Sequence, residues 1–443
     1  MTESMNPPVP LKEARRIVGA SYIGTALEWY DYFLYGTAAA LVFDKLFFPS
    51  LSPTAGTLAS FATFAVGFIA RPIGAVIFGH FGDRIGRKKT LIATVLMMGL
   101  ATGLIGLLPS FSAIGVGAPI LLVVLRFLQG ISVGGEWGGA MLLTLESTPK
   151  EKRGFYASIP QLGSPTGTLL SSGVFALVSL LPDPAFMAWG WRVPFLAAFV
   201  LLAVALYLRL RVEESPAFQR LASAQDAKER RESVPVLAAL RHTWGRMIVG
   251  VCAAFLGVGG FFLLTTFIIS YGTKTLGLPK STMLNATLVA AVVEIVVLFT
   301  AGKAADRFGA WRVCAFGAAA TVVLAFPVFL LVDTKQTALV FLGIALGTGA
   351  MSIPYAPIGA LVTQMFPVQY RYSAVALSYN IAGVFSGFVP LAAESLTGAA
   401  GGASWGAALL LVIIAAVTLA GSLASHAARV RRAVPADVAQ AVA

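Results

Sequence analysis

Several charged side chains sit in stretches otherwise too apolar to hold them: Glu28, Asp31, Arg71, Arg126, Glu136 and Glu294. Charge inside the hydrocarbon of a bilayer is expensive, so it marks a proton path, an ionic cargo site or a helix pair. Glu28 and Asp31 are three residues apart and share a helix face, with Tyr35 one turn beyond Asp31. Two carboxylates that close cannot both ionise cheaply in a low dielectric. One of them is therefore placed to take a proton on one side and release it on the other. Asp31 is the first candidate for this coupling, then Glu28, with Glu136 a third. A static ion pair between Arg71 and either acid, serving only helix packing, is the competing account. Arg126 presents a planar fork that matches a carboxylate in two parallel hydrogen bonds, and Gln129 lies one turn on. Arg126 serves equally as a permanent partner for Glu136, or as the group that tunes the proton site. Glu294 has no basic neighbour in sequence and reads as a neutral acid of the interior, grouped with Arg71 in the charge network.

Further candidates to face a cargo are Tyr35, Trp137 and Gln161, with Tyr379 and Asn380 of the eleventh span placed to close the site opposite Arg126. Each is explained about as well by core packing. Counting at ~1.5 Å per residue from the inner helix ends places Glu28, Asp31, Arg71 and Glu136 at similar depth. The same count puts Arg126 two to three turns further out. Two thiols, Cys252 and Cys314, lie in apolar stretches and read as small hydrophobes, with no metal site and no cofactor expected.

The elements that hold these groups are membrane spans. Of 443 residues 57% are hydrophobic and only 12% charged, with a mean hydropathy of +0.82. Soluble domains carry about 25% charged residues, so side chains here must face lipid. Spans of about 20 apolar residues are read at 17–43, 54–80, 90–109, 117–146, 154–181 and 190–211. A second set follows at 246–272, 281–304, 312–332, 337–366, 372–398 and 404–427. The expected class is thus an all-α membrane protein of twelve transmembrane helices. Residues 1–211 form one six-helix bundle, 212–243 a charged cytoplasmic linker, 244–428 a second bundle and 429–443 a cytoplasmic tail. The polar first 16 residues and the length of the apolar run after them speak against a cleaved signal peptide.

The net charge of +12 invites a nucleic-acid reading, and its placement refuses it. Lysines and arginines crowd one set of alternate loops, while the others hold only Lys45, Arg192, Lys274, Lys280 and Lys335. Basic residues accumulate on the cytoplasmic side, which places both termini inside.

The two halves repeat. Gly79, Asp83, Arg84 and Gly86, followed by Arg87 and Lys88, recur as Gly302, Asp306, Arg307 and Gly309 at an offset of 223 residues. Pro149 and Arg153 recur as Pro367 and Arg371 at an offset of 218. Paired six-span halves of this kind are the parallel repeat of one large transporter class. The loop from Gly79 to Lys88 resembles the signature loop of the major facilitator superfamily. Glu28-Trp29-Tyr30-Asp31-Tyr32-Phe33-Leu34-Tyr35-Gly36, Arg71-Pro72, Arg126 with Gln129-Gly130, Gly134-Gly135-Glu136-Trp137-Gly138-Gly139 and Trp189-Gly190-Trp191-Arg192 resemble its metabolite:proton symporter family, shikimate-type members most of all.

That resemblance implies the major facilitator fold and a monomeric, multi-pass protein of the bacterial inner membrane. It implies import of a small polar metabolite, an organic acid such as shikimate, together with protons, by alternating access. It implies gating by Gly79, Asp83, Arg84, Gly86, Arg87, Lys88, Arg153, Asp306, Arg307 and Arg371. A symporter of betaine- or proline-like solutes is the alternative within the fold, though osmosensing members carry a coiled-coil tail that the short stretch after the last span does not supply. A non-transporting receptor ranks below both. No nucleophile–base pair or metal constellation suggests an enzyme, so the expected partners are a small molecule, protons and the bilayer.

Overall fold

The computed structural model describes residues 11–85, 87–134, 136–146, 148–210, 235–367 and 371–433. The described residues are helical almost throughout and alternate in direction through twelve crossings. The first half contains Leu11–Leu41, Pro53–Ile85, Arg87–Ile105, Gly117–Val133 continued by Glu136–Glu146, Arg153–Gln161 continued by Gly163–Val178, and Val193–Leu210. The second contains a seventh span from Pro235 to Thr275, then Lys280–Phe308, Ala310–Asp333, Thr337–Tyr355 with Ile358–Thr363, Arg371–Gly387 with Val389–Ala399, and Trp405–Ala433. The helix starting at Leu11 and the helix ending at Ala433 share one end of the molecule, here the terminal end. Most of the expected linker, through residue 234, and the tail from 434 lie outside the described residues.

Nine of these segments are long and apolar enough to cross a bilayer on length and composition alone. Of the third span, the described residues count only Ile92–Ile105 as an apolar helix; the first and fifth fall short for a physical reason. The first carries Glu28 and Asp31 among four tyrosines and a tryptophan, and from Trp29 to Phe43 its side chains are almost wholly enclosed by protein. Its neighbours, more than lipid, are its solvent. The fifth is rich in Ser, Thr, Gly and Pro. Pro165 cannot donate to the carbonyl four residues back, and the helix breaks at Leu162 between Pro160 and Pro165.

The halves meet along two seams, one between the second and eleventh spans and one between the fifth and eighth. The seventh span is wound unusually. After Phe255 it passes through π turns at Leu256–Gly260, Leu263–Phe267 and Tyr271–Thr275. The first has a visible cause. Thr418 of the twelfth span inserts its hydroxyl into the helix ladder, accepting from Leu256 N at 2.9 Å and donating to Cys252 O at 2.9 Å. Cys252 and Cys314 are free thiols.

Candidate functional site

The second and fourth spans are in backbone contact. A Cβ on Gly130 would collide with Gly67 O, one on Gly134 with Arg71 O, and one on Gly74 with Ile131 O. Small residues that admit another backbone this closely are the usual device for joining helices in lipid. The consequence here is chemical, because these two helices carry Arg71 and Arg126. A Cβ on Gly67 would itself come within 2.5 Å of Arg126 Nε. The two guanidinium groups are therefore held at fixed places against the first span.

Each of the first span's acids takes one of them. Glu28 Oε1 lies 2.9 Å from Arg71 Nη2 and also accepts from the Tyr32 hydroxyl at 3.0 Å. Asp31 Oδ2 lies 3.2 Å from Arg126 Nη1, while its Oδ1 accepts from Thr102 and Gln129, both at 2.5 Å. The four charged residues are 0–3% exposed. With a guanidinium each, both carboxylates can hold their charge at once, so the expected competition between them is relieved. A partner that cancels the charge and fills the lone pairs is what makes a buried ion tolerable.

Two expectations need correction. Arg126 does not lie two to three turns outward of Asp31; the two side chains meet. Counted from the opposite end, Asp31 is ten residues from Leu41 and Arg126 nine from Gly117, so they are level. The count from the inner ends erred because the first helix begins at Leu11 and not at 17, so Asp31 is as far from its inner end as Arg126 is from Glu146. Asn380 faces Arg71 and not Arg126. It accepts from Arg71 Nε at 3.1 Å and donates to Gly134 O at 2.6 Å, bridging the second/eleventh seam.

Arg126 is also the least satisfied group of the set. Its Nη1 also donates to Gln129 Oε1 at 3.2 Å, and its face stacks on Tyr35, 4.2 Å from the ring centre. Its Nη2 is buried without a hydrogen-bond partner. Tyr35 turns its own hydroxyl to Thr63 at 2.8 Å.

Between the halves the centre is filled by rings. Trp29, Tyr32, Phe33, Phe64 and Phe68 of the first half pack on Phe261, Phe262 and Tyr355 of the second. Trp137 stacks flat on Tyr379 at 3.6 Å across the seam and donates to Gln161, which in turn donates to Tyr355 O.

Both ends are bridged as well. At the terminal end Asp306 accepts from Gly154 N at 2.7 Å and Phe155 N at 3.2 Å, capping the fifth span's first turn from the other half. Arg153 and Arg371 brace their own halves through Leu145 O and Phe366 O, and Arg307 lies exposed against Phe308. At the opposite end Lys274 pairs with Asp44 at 2.7 Å and donates to Thr57. Lys280 pairs with Asp183 at 2.7 Å. The sequence reading missed these two bridges. Their only signal was that Lys274 and Lys280 are rare cations on a side otherwise poor in them. The side chains of Asp83, Arg84, Arg87, Lys88 and Glu136, and the surroundings of Gly79 and Gly86, all named as candidates from the sequence, lie outside the described residues. Among the described residues no group of three or more His, Cys, Asp or Glu could hold a metal ion.

Comparison with known proteins gives this geometry a context. Residues 21–390 match the Major Facilitator Superfamily profile. A shikimate transporter of Escherichia coli (strain K12) is 44% identical over 389 residues, covering 87% of this chain and 88% of that protein. An inner membrane metabolite transport protein of the same organism is 40% identical over 429 residues, covering 95% and 96%. The crystal structure of a D-xylose–proton symporter shares the fold at a TM-score of 0.71 and 20% identity, over 91% of this chain and 97% of that one.

Proposed function

The chain belongs to the major facilitator superfamily, and on that premise we propose that it is a proton-coupled symporter importing a small hydroxylated carboxylate, shikimate or a close relative. The observation that carries the reading is the Asp31–Arg126 pair with its spare donor. A cargo carboxylate entering beside Arg126 would find Nη2 unused and Nη1 held only by Asp31 and Gln129. Taking both nitrogens in a two-point contact draws the guanidinium from Asp31. An acid stripped of its cation in a dry site takes up a proton. Cargo anion and proton then load together, and the site stays close to neutral through the cycle.

The rest of the molecule fits alternating access. The terminal end, where basic residues crowd, is the cytoplasmic one, and the membrane is the bacterial inner membrane. Asp306 on Gly154 and Phe155 is the inner gate; Lys274 on Asp44 and Lys280 on Asp183 form the outer gate. With both gates shut and the ring cluster closed between them, the conformation is an occluded one, and the halves rock about that cluster. The acting unit is a monomer.

A zwitterionic betaine would use the same arginine for its carboxylate and the faces of Trp29 and Tyr32 for its cation. Uptake into proteoliposomes of labelled shikimate, other hydroxy acids and betaine, with and without a pH gradient, separates the two. In the same assay Asp31→Asn abolishes accumulation driven by the gradient and keeps exchange of cargo for cargo. Undiminished accumulation would remove Asp31 as the coupling group.

A further inference from the structure

The 223-residue repeat that carries Gly79 to Gly302 and Asp83 to Asp306 carries Arg71 to Glu294. Like Arg71, Glu294 sits mid-span at a seam between the halves, 1% exposed. Across the seam the Ser164 side chain of the fifth span stands beside it. Neither Glu294 Oε1 nor Ser164 Oγ has a hydrogen-bond partner, and both are buried. The hydroxyl of Tyr355, near Glu294 on the tenth span, is likewise without a partner.

What distinguishes the site is that, among the described residues, no cation stands around it. The eighth span packs on the fifth, ninth and tenth and on the outer part of the seventh. Residues 154–182, 313–332, 336–363 and 247–273 contain no Lys, Arg, His, Asp or Glu. Of the titratable groups on those segments, Tyr355 lies near Glu294, and Cys314 is spent on Pro354 O. A bare carboxylate in so dry a place, with neither counter-ion nor a full set of donors, costs far more than a neutral acid.

We propose that Glu294 is a second proton-binding site, holding its proton while the fifth and eighth spans are closed on it and losing it to water when that seam parts. Closure and protonation are then linked: acid favours the shut seam and alkali the open one. The proposal extends the symport reading with another titrating group and rests on it only for the direction in which the proton travels. Asp306, at the terminal end of the same seam, is a second acid held against Gly154 and Phe155, and the Glu294 variants, which leave it in place, tell the two apart. Asp183, at the other end, is held below the ordinary carboxylate range by its hydrogen bond to Lys280.

The test is hydrogen exchange of residues 153–178 and 280–308 in the purified protein in nanodiscs, from about pH 5 to about pH 9, corrected for the intrinsic pH dependence of exchange. The expected result is seam opening that rises about tenfold per pH unit through one window, the limit for a single linked proton. Glu294→Gln, which cannot ionise, is expected to stay protected across the range, and Glu294→Met to match it. A flat profile for the unaltered protein overturns the proposal. So does a pH-dependent opening that persists in either variant that folds. Gradient-driven uptake is measured separately, so a protein that fails to couple transport to protons would sink the symport reading and leave this result standing.

Discussion

Residues 71 and 294 occupy equivalent places in the two halves, and the protein treats them in opposite ways. Arg71 is wrapped: Glu28 takes one nitrogen, Asn380 another, and the rings of Tyr32, Phe68 and Tyr379 lie 5.5–5.8 Å from its centre. Glu294 has an unpartnered oxygen and an unpartnered serine for company. The repeat dictates where an ionisable group stands, and the non-equivalent neighbours decide what it can do there. The first span supplies Glu28 to Arg71. The seventh span, its counterpart, has no charged residue between 247 and 273 to offer Glu294. A charge with a fixed partner holds helices together. An acid without one is built to change its state.

The sharpest way to break this contrast is to remove one side of the wrapped pair. Arg71→Met leaves Glu28 buried without its cation and is expected to cost about 3–5 kcal/mol of stability, read as a large fall in the thermal unfolding midpoint. Glu294→Gln breaks no pair and is expected to leave that midpoint nearly unchanged. Adding Glu28→Gln to Arg71→Met should recover much of the loss, and equal effects at 71 and 294 would erase the distinction. Arg126→Lys keeps the charge but loses the fork and Nη2. Carboxylate uptake is expected to drop about tenfold, roughly 1.4 kcal/mol, with normal affinity marking Arg126 as purely structural. The smallest effect is expected from Asp306→Ala, which removes a cap worth about 1 kcal/mol. It should raise the labelling of a cysteine introduced by Phe155→Cys without changing which cargo is preferred.

How much of this was legible in the sequence follows from the range of the forces involved. Apolar runs of twenty residues declare a span whatever they pack against, so the twelve crossings and the major facilitator fold could be read from hydropathy and the repeated loops. The acids and arginines of the first, second and fourth spans could be picked out because each breaks an apolar run. Which acid meets which arginine could not. That depends on where each helix starts and on the contact of Gly130 with Gly67 and Gly134 with Arg71, which no single span reveals. The Lys274–Asp44 bridge joins residues 230 apart in surface segments, beyond any periodic signal. Glu294 gave no account of itself in sequence because its meaning lies in what the facing helices lack.

The three widened turns of the seventh span bear on how the central rings could part. Each such turn holds about one residue more than ordinary winding needs, so tightening one would rotate all that follows by about 100° and advance it by about 1.5 Å. Phe261 and Phe262, which press on Trp29, lie just past the first of them, where the Thr418 hydroxyl acts as a wedge. Withdrawing one side chain of the twelfth helix would thus swing two aromatic rings like a key in a lock, while the stretch up to Phe255 stays where it is.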